Sequence, residues 1–312
     1  MFTLMVFLLA TSCFAEPAQG LTCSGVVVDP AGRPLPDVDV VLAGRMPTVG
    51  SFPTLARTIT DAQGAFRLEV GRQQLEGLRN FDGITWAYRP GRAVGLQPIE
   101  LTQNGALPPV RSTLAAPLRR TVRIVGADDH PLAGVRIAPV RYATNGSRWL
   151  RDSFFTPDDR VSQLAVATGA DGVATVPYLP ATVELTWVRV DAPGIVPHAF
   201  PLPSRPGTDH FTLKLGRPAR LAGSVFNDSG QPAASVPVEV RVENLYYLPR
   251  DPDENPKPAG LPSLIHFDSG PVRTGADGSF LTPPQLMTGR SYTIIIRPEG
   301  DPTALHILGR VR

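Results

Sequence analysis

The chain has 312 residues, more than one hydrophobic core usually organises, so its length calls for two or three domains. Its 34 prolines and 29 glycines interrupt the backbone too often for long helices, while 42% hydrophobic residues suffice for ordinary cores, which excludes a helical bundle and favours short strands joined by turns. The net charge is +2 and the basic residues are scattered, nearly all of them arginine, so no nucleic-acid footprint is present.

The first element in chain order is the apolar run Phe2 to Ala10, followed by Thr11-Ser12-Cys13-Phe14-Ala15. Small residues at the last and third-last positions before a cut after Ala15 outline a secretory signal, so the chain reads as exported to the periplasm, the cell surface or the medium. Residues 1–20 are assigned to this signal and a short mature tail. The run falls short of the roughly 20 apolar residues of a spanning helix, which argues against a membrane span. Ala10-Thr11-Ser12-Cys13 also reads loosely as a lipoprotein box in which Cys13 carries a lipid anchor, and both readings of the leader stay open. Cleavage after Ala15 leaves only Cys23, which cannot staple its own chain and is expected as a buried small residue at a strand start.

From residue 21 the sequence repeats. Gly25-Val26-Val27-Val28-Asp29 leads to Gly32-Arg33-Pro34-Leu35-Pro36-Asp37-Val38, and Val122-Arg123-Ile124-Val125-Gly126 leads to Asp129-His130-Pro131-Leu132-Ala133-Gly134-Val135. Gly223-Ser224-Val225-Phe226-Asn227 leads in the same way to Gly230-Gln231-Pro232-Ala233-Ala234-Ser235-Val236. Pro34, Pro131 and Pro232 are spaced by roughly a hundred residues, the period of a repeated sandwich. A second landmark follows in each unit, Asp61-Ala62-Gln63-Gly64, Gly169-Ala170-Asp171-Gly172 and Gly275-Ala276-Asp277-Gly278, and reads as a hairpin turn. A third is Arg89-Pro90-Gly91, Ala192-Pro193-Gly194 and Pro298-Glu299-Gly300.

Between landmarks the residues alternate as strands with one wet face: Phe66, Leu68 and Val70 against Arg67 and Glu69, and Val236, Val238, Val240 and Val242 against Pro237, Glu239 and Arg241. Val38, Val40 and Leu42 do the same, with Val41 blurring the opposite face. The expected fold is all-β, with three tandem antiparallel Ig-like sandwiches at residues 21–118, 119–218 and 219–312, each closing its own core.

The order of strand, G-x-P turn, strand, T-D-A-x-G-x-F strand and final P-G turn resembles the carboxypeptidase regulatory-like domain, a transthyretin-like sandwich. Gly32, Pro34, Val38, Thr60, Asp61, Gly64 and Phe66 carry the resemblance in the first unit, and Pro232, Val236, Asp277, Gly278 and Phe280 in the third. The second departs at Asp129-His130 and at Ala174, which stands where the others have phenylalanine. The resemblance implies non-catalytic modules for folding support, surface display or ligand contact.

No catalytic pattern stands beside it. A zinc peptidase needs a His-x-x-Glu pair, and none of His130, His198, His210, His266 and His306 has a glutamate three residues on, so these read as turn or surface histidines. There is no G-x-S-x-G elbow and no phosphate cradle, so neither an enzyme nor a cofactor is expected. Asp128-Asp129 and Asp158-Asp159 lack the ligand ladder of a calcium loop and read as solvated turn residues. The lysine of an isopeptide cross-link is missing from the first unit, since Lys214 and Lys257 are the only lysines.

One connection is stretched in every unit: Gly44 to Arg57, Ala143 to Ala165 and Leu245 to Pro271. These loops carry Phe52 in the first unit and the candidate ligand-binding aromatics Trp149, Phe154, Phe155, Tyr246, Tyr247 and Phe267 in the others. They either form a ridge for a polysaccharide or another exported protein, or fold back to cap their own cores. Closing strands are expected near Leu114–Leu118 and Phe211–Leu215, whereas the third unit has little sequence left for one. Either its edge is open to a partner strand or the sequence is a piece of a longer chain. The functional expectation is a non-enzymatic exported scaffold or surface-interaction protein; a carbohydrate-binding module and the accessory region of an exported hydrolase are the alternatives.

Overall fold

A computed structural model describes residues 20–44, 52–75, 82–100, 107–143, 153–203, 209–242, 271–288, 292–296 and 306–311. The leader, with Cys13, lies outside them. The chain is all-β among the described residues, apart from one helical turn at Arg72–Leu75 and a 3-10 helix at Asp158–Leu164.

The first repeat contains β1 (Leu21–Val28), β2 (Asp39–Gly44), β3 (Thr54–Ile59), β4 (Ala65–Val70), β5 (Asp82–Tyr88), β6 (Gly95–Glu100) and β7 (Val110–Thr113). The second contains β8 (Leu118–Val125), β9 (Arg136–Ala143), β10 (Ser153–Phe155), β11 (Val166–Ala167), β12 (Val173–Leu179), β13 (Leu185–Asp191), β14 (His198–Pro203) and β15 (His210–Lys214). The third contains β16 (Pro218–Ala219), β17 (Ala222–Ser224), β18 (Pro237–Val242), β19 (Val272–Arg273), β20 (Ser279–Leu281), β21 (Leu286–Met287), β22 (Tyr292–Ile296) and β23 (His306–Val311).

Each repeat has a smaller and a larger sheet. The smaller run β4-β1-β7 and β12-β8-β15, and in the third repeat shrink to the pairs β17-β20 and β16-β21. The larger run β3-β2-β5-β6, β10-β9-β13-β14 with β11 also on β9, and β19-β18-β22-β23. Among the described residues all ladders are antiparallel except β7 on β1 and β15 on β8. The short last strand expected in the third repeat is thus β23, present on the larger sheet; the strand it lacks among the described residues is the parallel one.

The repeat landmarks share one geometry. Val28, Val125 and Phe226 each form an isolated bridge, to Pro34, Pro131 and Pro232. Thr60, Thr168 and Thr274, all buried, accept the N–H of Val38, Val135 and Val236 at 3.0, 3.0 and 2.9 Å. The same hydroxyls donate to the carbonyls of Leu35, Leu132 and Ala233 at 2.7, 2.6 and 2.6 Å.

The turns ending in Gly64, Gly172 and Gly278 are not hairpins: β3 and β4, β11 and β12, and β19 and β20 belong to different sheets, so each turn crosses the sandwich. The carbonyls of Gly64, Gly172 and Gly278 instead accept from Val27, Ile124 and Val225 at 2.8, 2.8 and 2.9 Å. Their φ values of +68°, +73° and +73° require glycine, and an added Cβ would come within 2.5 to 2.6 Å of the carbonyl oxygens of those same three residues.

The departure at Ala174 is a compensated exchange. Gly25 pairs with Phe66 and Gly223 with Phe280, and a Cβ on either glycine would run into the phenylalanine ring. In the second repeat Val122 pairs with Ala174, so the volume sits on the other strand. Asp129 likewise takes a positive φ, 63°, at a turn where the first and third repeats use Gly32 and Gly230.

The first repeat closes its own core, with Cys23, Val27, Leu68, Val40, Leu42, Ile99 and Leu114 all buried in one cluster. The second does not. Its cluster, built on Val122, Ile124, Ile137, Tyr142, Val188 and Leu202, continues into Val41, Ala43, Ile84, Trp86 and Val94 of the first repeat and Met287 of the third. The expectation of closed cores fails there because the larger sheets of the first two repeats are buried on both faces, β2 from Val40 onward and β9 from Ile137 onward.

Candidate functional site

The described parts of the stretched connections in the first two repeats tie those repeats together. Phe52 and Phe155, 6% and 4% exposed, stack with ring centroids 4.4 Å apart and planes 12° from parallel. The Phe52 N–H donates to Asp158 Oδ2 and the Asp158 N–H donates to the Phe52 carbonyl, both at 3.2 Å. Thr54 Oγ1 donates to Asp159 Oδ1 at 2.6 Å. Buried Arg160 reaches Asp39 of the first repeat at 3.4 Å and Asp159 at 3.4 Å. The Asp158-Asp159 pair, read from sequence as solvated turn residues, therefore bonds across repeats.

Behind Phe155 the guanidinium of buried Arg141 lies 5.6 Å from its centroid and 4.4 Å from that of Trp187. Each contact is a cation–π arrangement, strengthened where water is excluded. Phe154 is half-buried against the same cluster. Trp149, Tyr246, Tyr247 and Phe267 lie outside the described residues.

The P-G landmark has a role that spacing did not disclose. Val94, just after Pro90-Gly91, donates its N–H to the carbonyl of Tyr178 in the second repeat at 3.0 Å. Val196, just after Pro193-Gly194, donates to the carbonyl of Gln285 in the third repeat at 2.7 Å. Both acceptors immediately precede a buried leucine, Leu179 at the end of β12 or Leu286 at the start of β21. The two seams are therefore equivalent, each larger sheet meeting the same end of the following repeat.

At the first seam Trp86 stacks on Tyr88 at 5.6 Å, and Tyr88 meets Tyr178 edge-on at 5.3 Å. Burial and the Tyr178 hydroxyl push the Tyr88 phenol up to about 12. Tyr178 itself holds a φ of 66°, which is costly for a bulky residue and places backbone strain at the contact. At the second seam Val140, Leu185, Trp187 and Ala199 cluster with Val240, Leu286 and Tyr292. The Tyr292 hydroxyl donates to the Met287 carbonyl at 2.8 Å and lies 3.5 Å from Nε2 of His198. His198 is 2% exposed, not the turn or surface histidine expected, because the second sheet's outer face is covered by the third repeat.

No group of three or more His, Cys, Asp and Glu among the described residues is arranged to hold a metal ion. No helix among them is long and apolar enough to cross a membrane.

No protein-family model matches the sequence, and no curated protein matches it. Solved structures similar in part include the shaft pilin SpaA from Lactobacillus rhamnosus GG, at 11% identity over 63% of this chain and 96% of that one, TM-score 0.23. A streptococcal ancillary pilin is 12% identical over 93% of this chain and 96% of that one, TM-score 0.24. The 3-chlorocatechol 1,2-dioxygenase from Rhodococcus opacus 1CP is 15% identical over 33% of this chain and 62% of that one, TM-score 0.24. Overlap at these scores carries no inference about this chain.

Proposed function

We propose that the chain is an exported, non-enzymatic scaffold that holds three sandwiches in a fixed relation at the cell surface or in the periplasm. The observation that carries this reading is the repetition of the seam: Val94 to Tyr178 and Val196 to Gln285, each set in apolar packing. Flexible tethering would need only polar linkers, whereas burying sheet faces between repeats serves a spacer whose length and angle matter. The motif resemblance to carboxypeptidase regulatory-like domains, and the leader outlined by Phe2 to Ala15, support the export and module assignments.

Fractionation of expressing cells, with the mature N-terminus read by mass spectrometry, tests the placement. The expected product lies outside the cytoplasm and starts after Ala15, or at a lipidated Cys13. Recovery from the cytoplasm with the leader intact contradicts the reading. A polysaccharide array with the wild type and Trp149→Ala tests sugar binding by the loop aromatics; for the scaffold reading, no saturable binding is expected.

A further inference from the structure

The third repeat differs from the others at one edge. In the first, β7 runs parallel to β1 with Gly25 opposite Val110 and Val28 opposite Thr113, and the N–H of buried Leu114 donates to the Val28 carbonyl at 2.9 Å. In the second, β15 runs parallel to β8 with Val122 opposite Phe211 and Val125 opposite Lys214, and buried Leu215 donates to the Val125 carbonyl at 2.8 Å. In the third, β17 pairs with β20 on one side, and no described strand lies on the other.

On that side, among the described residues, one large apolar side chain is exposed. Phe226 occupies the position of Val28 and Val125 by the shared bridge to proline, yet it is 58% exposed where each of those is 4% exposed. Leu281 is also exposed, at 53%, but lies on β20 opposite Ala222, across β17 from this edge. Val225 uses its N–H and carbonyl toward Gly278 and Ala233, so the alternating backbone turns those of Phe226 outward, as the Val28 carbonyl turns toward the Leu114 N–H.

We propose that this edge is an acceptor slot for an extended segment of a partner polypeptide, which enters parallel to β17 in the register of β7 and β15. The two occupied slots define its chemistry. Val110-Arg111-Ser112-Thr113-Leu114 and Phe211-Thr212-Leu213-Lys214-Leu215 share an apolar first residue, polar second and fourth residues, and a leucine at the fifth. The segment therefore carries that pattern, contributes its fifth N–H to the Phe226 carbonyl and covers the Phe226 ring.

The probe is a fluorescent peptide of residues 208–216 of this chain, titrated against the full protein by anisotropy. Three controls accompany it: the same peptide N-methylated at the position of Leu215, the wild-type peptide with the Phe226→Asp protein, and the wild-type peptide with Phe226→Val, which installs the residue of the other repeats. Saturable binding is expected, weakened by at least about tenfold by N-methylation and by Phe226→Asp, and retained with Phe226→Val. Because Phe226 is solvent-exposed, Phe226→Asp leaves the fold intact, which circular dichroism checks. Absence of saturable binding, equal binding of the N-methylated peptide, or binding indifferent to Phe226→Asp overturns the proposal; the last also identifies invasion of the second repeat by the peptide.

Discussion

Single residues at recurring positions set the local geometry, and several make separable predictions. Thr168 is buried and joins the Val135 N–H to the Leu132 carbonyl, so Thr168→Val leaves two buried backbone groups without that partner and should cost about 1–3 kcal/mol in denaturant unfolding. Ala174→Phe alone overfills the space beside Val122 and should cost about 1–3 kcal/mol, while adding Val122→Gly recovers most of the loss because it recreates the Gly25 and Phe66 pair. Cys23 is fully buried, and desolvation pushes its thiol up to about 11 from 9.0. A raised acid pKa contributes stability that is present below the unfolded value, so from about pH 9 to about 11 the wild type should lose about 1.4 kcal/mol per pH unit relative to Cys23→Ala. At neutral pH a thiol reagent should label Cys23 only at the rate of unfolding. The burial of Cys23 was legible from its place at a strand start. The threonines were half-legible, since Thr60 stood in the motif but Thr168 and Thr274 were not aligned with it.

At the scale of elements, alternation identified strands with one wet face and was weaker where both faces are buried. In β4 every second residue is buried, whereas β2 and β9 are buried almost throughout. Val41, which blurred the alternation, was the signal that β2 faces a second neighbour. Repetition of the turn ending in Gly64, Gly172 and Gly278 showed a tight turn but not that it crosses between sheets, because a turn's residues fix its φ values and not the partner of the next strand. Phe155→Ala removes the stack on Phe52 and one face of the Arg141 contact, and should cost about 3–5 kcal/mol, whereas Asp159→Ala, which loses the bond from Thr54 and a partner of Arg160, should cost less than about 1 kcal/mol. Comparison of their denaturation midpoints decides whether ring packing or surface polar contact dominates the seam.

At the scale of the whole molecule, the three repeats and their all-β class were legible, since landmarks recur at nearly constant spacing. The coupling between repeats was not, because it depends on which outer faces meet, and no local pattern encodes that. Two clusters of buried residues run across the seams, joining the first repeat to the second and the second to the third. The central claim, that the seams fix the repeats relative to one another, is tested by electron–electron double resonance between spin labels on Gln63→Cys and Asp228→Cys, both exposed, in a Cys13→Ser background. A single narrow distance distribution, broadened by Phe155→Ala, is the expected result; a broad distribution in the otherwise unaltered chain would contradict it.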